Sequence, residues 1–376
     1  MKNYYLDIFK VSKRQLEDLM QTASGYGADY ADLYFENTTY FNLMLKDGEV
    51  SSGGFHTDFG VGIRVLKGEK TGYAYSESTD IPDMTMAAKA AAMIATGQKA
   101  GRQYQRVTER IQDFYPMAEN WREQGADRFV PFLKELEQEV LKRDSTIVKV
   151  IARMSDSVSD VMMYNSLGEL TYETRPMGSV TVTAVFQRGG ATENKTASRS
   201  YRIGAELIGR ALIEELAAEV VRGIDARFEA KRPKGGKMSV VMGAGASGIL
   251  LHEAMGHAFE ADFNRKGQSI FSGKLGQQVC PKGVNVVDDG TVAFNRGYFS
   301  CDITYCIAIR AELQTGSCAC GQYKTVTGLT QYSKRVILCG GEGAVKTFTS
   351  KAGDDCTSTL KDTNLPSCTV QVVDPI

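Results

Sequence analysis

The sequence predicts an α+β protein, in which an N-terminal domain of antiparallel strand sets with flanking helices precedes a mostly β C-terminal domain. Three observations predict this class. Apolar residues alternate at period two in two separate parts of the chain, apolar residues recur at helical spacing between and after those parts, and tight-turn sequences join the alternating segments. Parallel strands need a long crossover connection, whereas the turns between these alternating segments are short. We therefore expect antiparallel strands.

Composition and charge are typical of a globular protein. The 376 residues include 44 Lys+Arg and 45 Asp+Glu, and 43% of the residues are hydrophobic. This balance argues against a disordered chain and against a nucleic-acid binder with a strongly basic face. No apolar run is long enough to cross a bilayer, and Asp7 interrupts the region where a signal peptide would be apolar. We therefore expect a cytoplasmic protein with no nucleic-acid or membrane partner.

A helix and an antiparallel meander begin the chain. Ser12 is a suitable N-cap for a helix whose apolar residues share one face. Alternation over residues 33–45 and 61–65 predicts two strands, and residues 46–49 (KDGE) have the composition of a hairpin turn. Residues 73–75 continue the pattern in a third strand.

Three helices and a second strand set follow. Residues 80–82 (DIP) open a helix that is predicted to reach about residue 96. Apolar residues at helical spacing predict further helices over 127–142 and 205–221. Strand formers occupy residues 147–186, with a turn at 165–168 (NSLG).

The chain is expected to divide after its first 226 residues. Residues 1–226 form the predicted N-terminal α+β domain, and the basic, Gly- and Pro-marked segment 227–236 is the predicted linker. Residues 237–300 are the first part of the C-terminal domain. The alternative is that the basic segment is a long surface loop within one domain.

Residues 301–376 differ in composition from the rest of the chain. All eight cysteines lie between Cys280 and Cys368. In the last 76 residues, only 17 are Leu, Ile, Val or Phe, and 16 are Ser or Thr. The repeated CxxC spacing of a zinc ribbon is absent. We expect this cysteine-rich tail to be an atypical segment that packs loosely.

Two of the three histidines, His252 and His257, lie in the sequence HEAMGH. The spacing resembles the HExxH motif of zinc peptidases with one residue added. Residues five apart in an α-helix differ by about 140° around the helix axis, whereas residues four apart differ by about 40°. Both imidazoles therefore reach one metal ion only if the helix widens or bends, as a π-bulge does. Gly256 makes such a distortion easier.

Glu253 follows the first histidine and would act as a general base on water that the metal activates. The alternative interpretation is that the two histidines are ordinary core or surface residues. A second motif, GAGASG at residues 243–248, fits the GxGxxG pattern of dinucleotide-binding proteins. That pattern also needs an acidic strand end about 20 residues later, and residues 264–268 read NRKGQ. A nucleotide site is therefore disfavoured.

Several segments of the chain resemble the TldD/PmbA family of metallopeptidases, on the TldD side. The segments that carry the resemblance are 28–35 (ADYADLYF), 60–64 (GVGIR), 68–74 (GEKTGYA), 252–263 (HEAMGHAFEADF), 264–267 (NRKG), 286–291 (VVDDGT) and 296–297 (RG). The resemblance covers roughly residues 1–299. It implies a zinc-dependent peptidase that acts on small or unfolded peptides inside a closed dimer, either a homodimer or a heterodimer with a PmbA-type subunit.

The resemblance also implies residue roles. His252 and His257 would be zinc ligands, and Glu253 would be the catalytic glutamate. The third ligand of the family is a cysteine in a Gly-rich segment near the C-terminus. Glu260 and Asp262 are carboxylates near the histidines, but family members that use the distant cysteine carry them too.

The sequence departs from the family after about residue 299, so the C-terminal metallopeptidase domain is expected to be incomplete. A frameshift would explain the altered composition, the cysteines and the early end together, and a divergent cysteine-rich cap is the alternative. We expect no cysteine of the tail to lie beside the two histidines. A catalytically incomplete homologue, which only binds peptide or a paralogous partner subunit, is therefore the alternative function.

Overall fold

The computed structural model describes residues 2–95, 107–112, 115–232, 235–237, 239, 249–250, 252–279, 294, 335–338 and 370–373. The α-helices are α1 (Lys2–Ile8), α2 (Lys13–Ser24), α3 (Ile81–Ala92), α4 (Ala126–Leu141), α5 (Arg210–Val221), α6 (Ile224–Glu229) and α7 (Ala261–Arg265). The strands are β1 (Tyr30–Lys46), β2 (Glu49–Lys67), β3 (Lys70–Ser76), β4 (Thr108–Gln112), β5 (Ile147–Asn165), β6 (Glu169–Arg188), β7 (Ala191–Tyr201), β8 (Arg335–Leu338) and β9 (Val370–Val373).

The two predicted strand sets form one seven-stranded sheet. Its order is β3-β2-β1-β5-β6-β4, and β7 pairs with β6. β1 joins the two sets, because it pairs antiparallel with β2 on one side and with β5 on the other, from Asp32↔Asn165 to Lys46↔Ile151. β4 pairs parallel with β6. The predicted α+β class with mostly antiparallel strands is confirmed.

The described chain separates into two compact units. The first comprises Met1–Glu137, Ile151–Val180 and Ile203–Leu212, and the second comprises Gln138–Val150, Thr181–Arg202 and Ile213–Ile376. β5 and β6 each contribute residues to both units.

The core of the first unit lies between the sheet and helices α2 and α3. Fully buried side chains from these elements include Leu16, Leu33, Ile63 and Met84. Ser12 caps α2 as predicted: its hydroxyl accepts a hydrogen bond from the Gln15 amide, and the Gln15 side chain accepts one from the Ser12 amide at 2.8 Å. This reciprocal cap fixes the start of a helix whose apolar face is buried on the sheet.

A buried charge cluster links the first unit's strands. Asp160 on β5 has no exposed side-chain area, and its Oδ2 lies 2.7 Å from the Arg122 guanidinium. Arg122 also donates to the Thr39 hydroxyl at 3.1 Å and to the Val158 carbonyl at 2.9 Å. The hydroxyl of Thr174 donates to the other carboxylate oxygen of Asp160 at 2.8 Å. The buried carboxylate is thus both paired and hydrogen-bonded, as burial of a charge requires.

One predicted helix begins later than expected. Instead of a single helix over 205–221, the chain forms a 3₁₀ turn at Ala205–Leu207 and starts α5 at Arg210. Ile208 is extended, and the Glu206 carboxylate accepts hydrogen bonds from the amides of Ala118 and Glu119 at 3.1 and 2.9 Å. These tertiary bonds compete with helix formation, and apolar periodicity does not reveal them.

The C-terminal half is described in part. Helical turns occupy residues 252–265, and β8 pairs antiparallel with β9. The predicted strand at 238–242, the GAGASG segment, all eight cysteines and most of the cysteine-rich tail lie outside the described residues. Among the helices that the structure describes, none is long and apolar enough to cross a membrane.

Candidate metal centre

The two histidines of the HEAMGH sequence lie on a widened helical turn. Residues His252–Gly256 form a π-helix, and His257–Phe259 continue as a 3₁₀ turn. A π-helix bonds residue i to residue i+5, so residues five apart come to the same side of the helix. The imidazole ring centroids of His252 and His257 are 4.5 Å apart, with an interplanar angle of 64°. The widening that the five-residue spacing requires is present at this position.

Three side chains of types that bind metal ions meet on this turn. Ligand atoms of His252, Glu253 and His257 all lie within 4.8 Å of one another. Nε2 of His257 is 3.6 Å from Oε2 of Glu253. The side chains of His257 and Glu253 are 42% and 61% exposed. Two imidazoles are donors that Zn²⁺ accepts, and a carboxylate beside them can act either as a further ligand or as a base on water at the ion, so the residues present fit a zinc ion.

A second carboxylate contacts the opposite nitrogen of His257. Nδ1 of His257 lies 2.5 Å from Oε1 of Glu260. The hydrogen bond to Glu260 raises the pKa of His257 above its ordinary value of 6.5. The charges of Glu260 and Glu253 act in the same direction, and burial acts in the opposite one. The sequence places Glu260 near the histidines, but we did not predict this hydrogen bond from it. The signal for the bond was the i,i+3 spacing of His257 and Glu260, which brings the two side chains close together on a helical turn.

The turn that carries Glu260 is held by polar side chains. The side-chain nitrogen Nδ2 of Asn264 donates to the carbonyls of Ala258 and Glu260, both at 2.9 Å. The Ser269 hydroxyl donates to the same Ala258 carbonyl. The rings of Phe259 and Phe271 stack at 4.4 Å with an angle of 4° between them. Residues 257–271 thus form a locally braced segment beside the π-helical turn.

Gly256 contributes space to the site. Its backbone is ordinary right-handed helix, with φ −55° and ψ −52°, so the turn does not use the conformational freedom expected from the sequence. A Cβ atom at this position would lie 3.1 Å from Nδ1 of His252. Glycine therefore leaves room for the imidazole ring to lie against the backbone of the turn.

For a zinc ion held by His252 and His257, Gly256→Ala would be expected to weaken binding by about tenfold. The added methyl group displaces the His252 ring by a few tenths of an ångström, and misplaced ligands and supporting groups typically cost 10–100-fold in metal affinity. Gly209→Ala is the matched control, because a Cβ there meets no atom within 4 Å. Zinc titration of both variants checks this, and equal affinities would show that the ring position does not limit binding.

Profiles of one protein family match three successive parts of the chain. PmbA/TldA metallopeptidase domain 1 matches residues 31–95, the central domain matches 119–227, and the C-terminal domain matches 235–304. The chain therefore belongs to the PmbA/TldD family of metallopeptidases. The family implies a metal ion, and the predicted resemblance to it is confirmed.

Individual relatives are similar over most of the chain. The chain is 30% identical over 310 residues to the "Metalloprotease TldD homolog" of Haemophilus influenzae, covering 80% of this chain and 64% of the relative. It is 26% identical over 277 residues to a "Metalloprotease" of Methanothermobacter thermautotrophicus, covering 70% of this chain and 58% of the relative. The chain thus spans less than two thirds of the length of these relatives.

Solved structures share the fold. TldE from Thermococcus kodakarensis superposes with a TM-score of 0.58 at 14% identity, over 77% of this chain and 64% of that chain. A Thermotoga maritima protein, described as a candidate modulator of a DNA gyrase, gives a TM-score of 0.59 at 19% identity, over 75% and 64%. At these identities the likeness concerns the fold alone.

Proposed function

We propose that this chain is a zinc-dependent peptide hydrolase, in which His252 and His257 bind Zn²⁺ and Glu253 is the general base. One observation carries the proposal: the ligand atoms of these three residues lie within 4.8 Å of one another, on a helical turn whose π geometry brings the two histidines to the same side. Membership of a metallopeptidase family supports it.

The roles of the three side chains follow from their chemistry. When bound, the metal ion polarises the scissile carbonyl group and lowers the pKa of water. His252 and His257 hold the ion through imidazole nitrogens, which bind zinc in the neutral state. The Glu253 side chain is 61% exposed, compared with 42% for His257. It takes a proton from the attacking water and delivers it to the leaving amine nitrogen, as a general acid–base catalyst does.

A second candidate function is a catalytically incomplete homologue. A catalytic zinc ion normally has three protein ligands, and the family resemblance assigns the third to a distant cysteine. The composition of residues 301–376 departs from that of the rest of the chain, and this departure supports the alternative. Such a chain would bind small or unfolded peptides, or a partner subunit, without hydrolysing them.

The partner proposal is a dimer, either of this chain with itself or with a PmbA-type subunit. Its support is the shared fold with the solved TldE structure. Activity is therefore best measured both for this chain alone and for its mixture with a PmbA-type subunit.

Metal reconstitution tests the proposed function. The metal-depleted full chain is expected to bind one Zn²⁺ and to gain hydrolysis of an unfolded peptide, and a chelator should remove both. Zinc binding without hydrolysis, alone or with the partner subunit, would favour the incomplete homologue. Hydrolysis that persists in metal-depleted protein would contradict the proposal.

A further inference from the structure

We propose that Glu260 is a positioning residue of the metal centre, which holds a proton on Nδ1 of His257 and thereby leaves Nε2 as the metal-binding atom. This inference rests on the proposed function, because it concerns how one proposed zinc ligand is oriented. Glu260 itself does not bind the ion.

The two ring nitrogens of His257 lie near different carboxylates. Nδ1 lies 2.5 Å from Oε1 of Glu260, whereas Nε2 lies 3.6 Å from Oε2 of Glu253. A neutral imidazole carries one N–H donor and one acceptor nitrogen. Because an ionised carboxylate only accepts hydrogen bonds, the proton belongs on Nδ1 and the free electron pair on Nε2. The acceptor nitrogen therefore faces the carboxylate that belongs to the candidate metal cluster.

The Glu260 side chain is less exposed to solvent than the side chains of His257 and Glu253. Its side chain is 23% exposed, compared with 42% for His257 and 61% for Glu253. Partial burial strengthens the hydrogen bond, since the electrostatic attraction is screened less there than in water. The three residues that cluster as possible ligands are His252, Glu253 and His257, without Glu260. Glu260 instead contacts Nδ1 of His257, the ring nitrogen opposite Nε2.

Two hydrogen bonds hold the backbone of Glu260. Its amide donates to the His257 carbonyl at 3.2 Å, and its carbonyl accepts from the Asn264 side chain at 2.9 Å. The Glu260 side chain therefore starts from a constrained position three residues after His257. Metal-binding histidines commonly donate their other N–H to a carboxylate, which fixes the tautomer and the ring orientation. The same local turn supplies both the histidine and its carboxylate here.

Tautomer measurement tests the hydrogen bond without metal. The chain has three histidines, so ¹⁵N NMR of histidine-labelled, metal-free full chain at a pH where imidazoles are neutral can follow each of them. We expect His257 in the Nδ1–H form in the wild type and in Glu260→Gln, whose side-chain oxygen still accepts. In Glu260→Ala the Nε2–H form should gain population. An unchanged His257 tautomer in Glu260→Ala would overturn the inference.

Zinc titration then separates this inference from the proposed function. We expect Glu260→Ala to weaken zinc binding 10–100-fold, Glu260→Gln to recover most of that loss, and the exposed control Glu229→Ala to bind as the wild type does. Equal zinc affinity in the wild type and Glu260→Ala overturns this inference alone. A wild-type chain that binds no zinc overturns the proposed function and the positioning role with it. A Co²⁺ absorption spectrum that changes coordination number in Glu260→Gln would make Glu260 a ligand and also overturn the inference.

Discussion

Glu253→Gln is expected to lower kcat/KM for peptide hydrolysis by about 10²–10⁴-fold and to leave zinc binding nearly intact. Glutamine is isosteric with glutamate but accepts no proton from water at neutral pH, so the general base is lost. The two histidine nitrogens that hold the ion remain. His252→Ala and His257→Ala should instead lose both zinc binding and hydrolysis, because each removes a proposed ligand.

His56→Ala is the matched control for the histidine variants. His56 lies on β2 and stacks on Tyr40 at 4.4 Å, so its removal should change neither zinc content nor hydrolysis. Zinc content by elemental analysis and hydrolysis of one unfolded peptide, measured on the same preparations, check the whole set. Equal loss of zinc in the Glu253, His252 and His257 variants would reassign Glu253 as a ligand.

Arg122→Met is expected to lower the free energy of unfolding by about 3–5 kcal/mol, because breaking a buried ion pair leaves an uncompensated charge. Asp160 has no exposed side-chain area, whereas Arg122 keeps 22% of its side chain exposed. Methionine retains much of the apolar length of the arginine side chain, so the loss isolates the guanidinium. Urea unfolding followed by circular dichroism measures the difference.

Arg110→Met is the control for the buried arginine. Arg110 lies 3.7 Å from Glu169, and the two side chains are 61% and 40% exposed, so this change should cost less than about 1 kcal/mol. Adding Asp160→Asn to Arg122→Met should recover part of the lost stability, since the orphaned charge is removed. A loss below about 1 kcal/mol for Arg122→Met alone would mean that the guanidinium does little to stabilise the buried carboxylate.

Short sequence patterns predicted individual helices, strands and turns. How the strands pair depends on contacts between residues far apart in the sequence. The Ser12 cap, the turn at residues 46–49 and the turn at 165–168 follow from short stretches of sequence, and all are found. The pairing of β1 with β5 joins residues more than a hundred positions apart. Alternation of apolar residues does not show whether the two strand sets form two separate sheets or one continuous sheet.

The candidate site shows the same division. The five-residue spacing of His252 and His257 predicted a widened turn, because an unperturbed helix would point the rings apart, and the π-helix is there. The i,i+3 spacing of His257 and Glu260 allows their hydrogen bond, but spacing alone does not say which nitrogen of the ring the carboxylate contacts. The role of Gly256 likewise follows from the position of a neighbouring ring rather than from the glycine itself.

The braced segment after the π-helical turn is built from short-range bonds. The hydrogen bonds that hold His257, Glu260, Asn264 and Ser269 join residues at most 11 positions apart. Closing such short loops costs little chain entropy, and contacts of low sequence separation form early during folding. The braced segment, residues 257–271, is therefore expected to form during synthesis, before any ligand from a distant part of the chain reaches the centre.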